Sequence, residues 1–508
     1  MMDYVLSGIS LRLTETIVNS AVWIVIGCFI AAVFQRMLGP EKVCRIFGNG
    51  TRWSLLSGWL MGMLLPVCSL GVIPVVREMH RAGVSRGTIV AFGLTAPLFN
   101  PMSILYGLTL SDPLAILSFS LCALAVVTVL GLVWERFVKV EAVEAEVRSM
   151  PTYGIKRVLS LFHSVSIDLT GPSLLFILIG IAGSVGLAVS LEKGYLQNQV
   201  EHDNVYAPVM VALIATPIYS TPLLAMSQIG GMFQHGNSIG AAFTLLVLGA
   251  GANLGLLAWL GATYGIRRVI LFYLLLALTS IGLAYAIDKP LYPKGVTPAG
   301  HTHAFDVYTH PYNSVQTNKM ELARKQATEF WNANEFGGTK ILLGLMALGF
   351  LFRIVDSSFD FESWYLVEPA AAVSKMDLFI PGWALGVISV VGLIASSVFA
   401  CYLYYPDSQQ MLYDMDIINA DCVTAARTED WEAAEKWIRY IDDLSRRLEV
   451  GVFLRNGSVD EFQSAKAKVF REKLDDLKHA VEAKDSTTSK ELSFEVDKAY
   501  RRMKETFR

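Results

Sequence analysis

Prolines stand in the middle of apolar stretches long enough to cross a membrane. Residues 55–76 read LLSGWLMGMLLPVCSLGVIPVV and hold Pro66, Gly71 and Pro74; residues 205–229 hold Pro208, Pro217 and Pro222. Proline removes a backbone donor and clashes with the preceding turn, so a continuous helix cannot pass undisturbed. Lipid does not tolerate the unpaired backbone that results, so such breaks survive only where protein or a cavity surrounds them. Both segments therefore predict broken helices inside a larger assembly of spans. Apolar runs at 16–35, 113–135, 170–190, 239–262, 267–287, 339–356 and 382–405 supply those spans, because about 20 apolar residues cross a hydrocarbon core as a helix. A further run at 87–108 is interrupted by Pro97 and Pro101. The expectation is an all-α polytopic protein of the lipid bilayer, placed in the cell (inner) membrane.

Charge supports this. Of 508 residues, 17% are charged, against about 25% in soluble chains. Forty of the 87 charged residues fall in the last 103 positions. The net charge of −3 offers no footprint for nucleic acid. Six cysteines without a CxxC give no disulfide framework. The first residues lack a basic region and a small-residue cleavage site, so the first apolar segment reads as a retained span.

The two broken segments superpose at an offset of 151: Pro66 falls on Pro217 and Ser69 on Ser220, and Ala91-Phe92 on Ala242-Phe243. Basic residues set orientation. Arg36, Lys42, Arg45 and Arg52 precede the first break and Arg77, Arg81 and Arg86 follow it, so a re-entrant hairpin satisfies both flanks. Three spans and one broken or re-entrant segment per half would make the halves inverted repeats, a recurring way to build a transport site; the alternative is eight plain spans with two proline-kinked helices. The expected organisation is a first repeat at 1–138, a second at 139–287, a polar linker at 288–338, two additional transmembrane helices at 339–405, and a soluble helical hairpin or bundle at 406–508.

Candidate solute contacts follow from the breaks. Pro66, Cys68, Ser69, Gly71 and Pro74 form the first; Cys68 offers a soft sulfur, suited to a soft cation or trivalent metalloid, or simply a small buried side chain. Pro97 and Asn100 follow, and Asn100 at membrane depth needs a partner, either solute or a carbonyl freed by proline. The counterparts are Thr216, Pro217, Tyr219, Ser220 and Thr221, with Asn253 beyond a run of small residues. Gln228 is placed to line a vestibule. The spans carry no acidic residue near their centres and the chain has no phosphate-binding GxxxxGK[ST], so neither proton coupling nor ATP use is indicated. No cofactor is expected, nor a coherent set of catalytic side chains.

The stretch LLPVCSLGVIPVVREMHRAGVSRGTIVAFGLTAPLFNP, residues 64–101, resembles the predicted permeases of the ArsP/YraQ type. Pro66, Cys68, Gly71 and Pro74 match the family's broken element, Arg81, Gly83 and Ser85 its short basic loop, and Ala91, Phe92 and Pro97 the helix after it. The resemblance extends over about residues 10–290. It implies a permease fold and efflux of trivalent organoarsenicals or of metals such as zinc, cadmium or copper. Many relatives carry a second cysteine where this chain has Leu70, so the resemblance implies one thiolate contact here or a different solute.

Beyond the resemblance, His301, His303, Asp306 and His310 could ligate zinc or copper if folded together, although their spacing matches no standard site. Residues 319–335 suit a surface helix. The tail places Trp431, Ala434, Trp437, Ile438, Ile441, Leu444 and Leu448 at three-to-four spacing, an amphipathic stripe. Such helices, or the membrane helices, are candidates to join copies in a homo-oligomer. The function expected is a secondary-type permease exporting a small inorganic or organometalloid solute. The alternatives are a membrane sensor or assembly subunit signalling through the tail, and a permease for an unrelated organic solute.

Overall fold

A computed structural model describes all residues except 1, 49–51, 139–154, 193, 197, 294–303, 313–317, 334–336, 357–358 and 367–379. Among the described residues six helices are long and apolar enough to cross a membrane: Met2–Phe47, Pro113–Phe137, Pro172–Ser190, Ile266–Asp288, Gly338–Asp356 and Gly382–Tyr404. A seventh span is counted if Ile239–Gly251 and Leu254–Tyr264, bent by 55° at their junction, are taken as one. The chain is a multi-pass, all-α membrane protein. It divides into two compact units, one of Met1–Ser103 and Leu114–Ser397, the other of Ile104–Pro113 and Val398–Arg508.

In the first unit, the opening helix starts well before the apolar run that announces it. It is α-helical over Met2–Val33, passes through a π-helical turn at Phe34–Leu38 and ends at Phe47. Arg12, which hides the helix in the sequence, is neutralised by Glu15 at 2.7 Å and donates to backbone carbonyls 294 and 297 residues away.

Helices stop where the prolines stand. Arg52–Leu64 gives way at Pro66 and helix resumes at Val72–Arg81. Ala207–Ala215 ends before Pro217 and resumes at Pro222–Gln234, with Thr221 accepting from Leu224 N–H as N-cap. The run at 87–108 is likewise split, into Arg86–Thr95 and Pro101–Leu110. The span expected to run uninterrupted over 239–262 instead bends. A π-helical stretch at Leu245–Gly251 shifts the register, and Asn253 then caps a new helix at Leu254–Tyr264.

In the second unit, Ser408–Arg427, Trp431–Asn456, Glu461–Glu482 and Ser486–Phe507 pack around Met415, Ile441, Phe470, Leu474 and Met503. Glu449 and Arg471 pair inside this bundle at 2.5 Å, and Ser464 donates to the same carboxylate at 2.6 Å. Asp460 and Gln463 form a reciprocal capping box at the start of Glu461–Glu482. Asp460→Ala should cost about 1 kcal/mol. Hydrogen exchange on the full chain should show faster exchange confined to the first turn of that helix.

Candidate functional site

All of the broken backbone between Leu65 and Val76 is buried, which is the condition under which irregular chain persists at membrane depth. Within the first break, Val67 N–H donates to Leu65 C=O at 2.9 Å, Val72 N–H to Cys68 C=O at 3.0 Å, and Gly71 N–H to Cys68 Sγ at 3.2 Å. Close approach by the first helix holds this turn in place. A Cβ on Gly27 would collide with the Gly71 carbonyl, and one on Gly71 would lie 2.5 Å from the Trp23 carbonyl oxygen. Only glycine fits at either position.

The two breaks meet. Ser69 N–H faces Ser220 C=O at 3.4 Å, and Ser220 N–H faces Ser69 Oγ at 3.4 Å across 151 residues. Cys68 is fully buried, and the Tyr219 side chain lies close to it. Tyr219 is positioned from behind by its N–H, which donates to Ser184 Oγ at 3.3 Å. Thr216 pairs through its hydroxyl with that of Tyr273.

The two asparagines serve different ends. Asn253 Nδ2 donates to Ile218 C=O at 3.1 Å and its Oδ1 accepts from Gly255 N–H at 2.8 Å, so its amide is consumed by the second break and by the helix it caps. Asn100 also caps its helix, accepting from Ser103 N–H at 2.7 Å. Its Nδ2, though fully buried, meets no hydrogen-bond partner among the described residues. Thr95 Oγ1 and Tyr219 Oη share that condition. An unmet buried polar group costs about 1–3 kcal/mol, so unmet groups in a native interior call for an explanation.

Ser184 is absent from the residues singled out by sequence, and Thr95 enters there only as part of the stretch that leads through Pro97 to Asn100. Thr95 stands two residues before Pro97 but reads as an ordinary helix residue. Ser184 lies in a span whose small residues suggest packing alone. Gln228 is buried, its Oε1 accepting from Tyr308 Oη at 2.8 Å. Of the histidine set, His301 and His303 lie outside the described residues. His310 is occupied by Tyr4, through its carbonyl at 2.9 Å and its stacked ring at 3.6 Å, and by Tyr312. Among the described residues no group of three or more His, Cys, Asp or Glu side chains could hold a metal ion.

Broken elements meeting inside a bundle of spans define a class, the polytopic permeases with discontinuous helices. The family model described as "Predicted permease" (ArsP_1) matches residues 9–288, more than half of the chain, and the protein belongs to that family. The UPF0718 protein YcgR of Bacillus subtilis (strain 168) is 34% identical over 86 residues, and a Streptococcus mutans protein named provisionally as a two-component membrane permease complex subunit is 26% identical over 86 residues. Each match covers 17% of this chain and 29% of the relative's length. No solved structure matches the chain.

Proposed function

We propose that the chain is a secondary-type permease of the cell membrane that exports a soft metal or metalloid species, an organoarsenical or soft divalent cation, through a site between its two breaks. The observation that carries this reading is the pairing of Ser69 with Ser220, residues of two broken elements held within a bundle of spans. Their separation of 151 also relates the surrounding elements: Pro113–Phe137 and Ile266–Asp288 end 151 residues apart. Val72–Arg81 and Pro222–Gln234 follow equivalent breaks, as do Pro101–Leu110 and Leu254–Tyr264. This correspondence supports two repeats. The distribution of basic residues on their flanks favours an inverted pair, each of three crossings and one re-entrant element.

In such a site Cys68 Sγ would supply one soft donor, and Asn100 Nδ2, Thr95 Oγ1 and Tyr219 Oη, buried atoms without a hydrogen-bond partner among the described residues, would supply hydrogen-bonding capacity. A solute with one thiophilic centre and polar substituents matches that set better than a hard, hydrated ion does.

Uptake by proteoliposomes of the purified full chain tests the proposal. The panel is trivalent methylated and aromatic arsenicals, arsenite, zinc, cadmium and copper, without ATP. Flux of a thiophilic member is expected; binding without flux would instead indicate a sensor, and silence across the panel would remove the solute class.

A further inference from the structure

We infer that the segment 304–312 is a strap closing one mouth of the site between the breaks, and that Tyr308 is the residue with which it closes. The inference rests on the permease reading above and adds to it a part that lies beyond residues 9–288, outside the family match.

Tyr308 is 2% exposed although it belongs to a single 3-10 turn, Asp306–Tyr308, in a short irregular stretch. Its hydroxyl donates to Gln228 Oε1 at 2.8 Å and faces the Ser220 hydroxyl. Tyr308 and Cys68 both lie within electrostatic reach of Tyr219. The strap residue therefore reaches Ser220, the residue of the second break that meets the first. Burial raises the phenol's pKa well above its ordinary value, so Tyr308 acts as a neutral donor.

The strap is tied down by polar bonds to two other elements. Arg12 donates through Nε and Nη2 to Thr309 C=O, at 3.2 and 2.7 Å, and through Nη2 to Asp306 C=O at 2.7 Å. His310 N–H donates to Leu191 C=O at 2.8 Å, at the end of Pro172–Ser190. Phe305, Tyr308, His310 and Tyr312 are also buried, so the strap is closed at rest, and opening it requires these bonds and contacts to give way together. A solute passing between Ser220 and Gln228 meets Tyr308 in its way, and opening the strap clears that path without disturbing either break.

The test reads access to Cys68, which needs no transported solute and so separates this inference from the permease reading. Membrane vesicles carrying the full chain are treated from each face with a membrane-impermeant maleimide. Labelling of Cys68 and of the equally buried Cys28 is followed by peptide mass spectrometry, in wild type, Tyr308→Ala and Arg12→Gln. The second variant loosens the strap from a distance. Cys68 should label about tenfold faster from one face in both variants, the change that ~1.4 kcal/mol of lost closing free energy gives, with Cys28 unchanged. Unchanged labelling of Cys68 in both variants, or an equal rise at Cys28 that reports general loosening, would overturn the strap.

Discussion

Gly27→Ala should remove folded, transport-competent protein almost entirely. The new methyl would be forced into the Gly71 carbonyl, and the atoms it meets are backbone on both sides. No rotamer change relieves such a clash; either the first helix moves or the break does. Ordinary overpacking costs about 1–3 kcal/mol, and a backbone-to-backbone collision lies at or beyond the top of that range. The break is tied to Ser220 by contacts of 3.4 Å, so displacing Gly71 separates the two broken elements as well. Size-exclusion chromatography of the solubilised protein should show little monodisperse material. Whatever is recovered should show flux at least about tenfold below wild type, since a ~1 Å misplacement of positioning groups costs up to ~100-fold in rate. Wild-type yield and flux for Gly27→Ala would mean that the first helix does not set the position of the break.

The second large effect is a contrast between two asparagines that look equivalent. Asn253→Ala deprives the fully buried Ile218 carbonyl of its donor and uncaps Leu254–Tyr264. The summed cost is about 2–4 kcal/mol, from an unmet buried carbonyl and a lost cap. Asn100→Ala removes the cap on Ser103 N–H, about 1 kcal/mol, together with an Nδ2 that has no hydrogen-bond partner among the described residues. The expected outcome is that Asn253→Ala loses thermal stability in detergent, whereas Asn100→Ala keeps most of its stability and loses about tenfold in flux. Equal behaviour of the two variants would contradict the division of labour between them.

Much of this arrangement was legible in the sequence because proline leaves an unmistakable mark. Pro66, Pro74, Pro217 and Pro222 mark two breaks, and the offset of 151 makes Ser69 and Ser220 equivalent positions. What the sequence concealed was of two kinds. The bend at Asn253 lacks a proline; it arises from a π-helical register shift and a side-chain cap, and neither interrupts the apolar run that made 239–262 look continuous. Long-range satisfaction was equally hidden. Arg12 made the start of the first helix look polar because its partners at Asp306 and Thr309 lie almost 300 residues away. Tyr308, read within a histidine-containing loop, gave no sign of reaching Gln228. Periodicity and composition report local preference; they do not report which distant groups satisfy a buried one.

The most direct test of the central claim is flux of the transported solute in proteoliposomes, compared between wild type, Cys68→Ser and Cys28→Ser. Both cysteines are fully buried, but only Cys68 lies in the break that meets Ser220. Cys68→Ser should lose most of the flux while the protein stays folded, and Cys28→Ser should retain it. Undiminished flux in Cys68→Ser would contradict a soft-ligand site between the breaks and leave Cys68 as a packing residue.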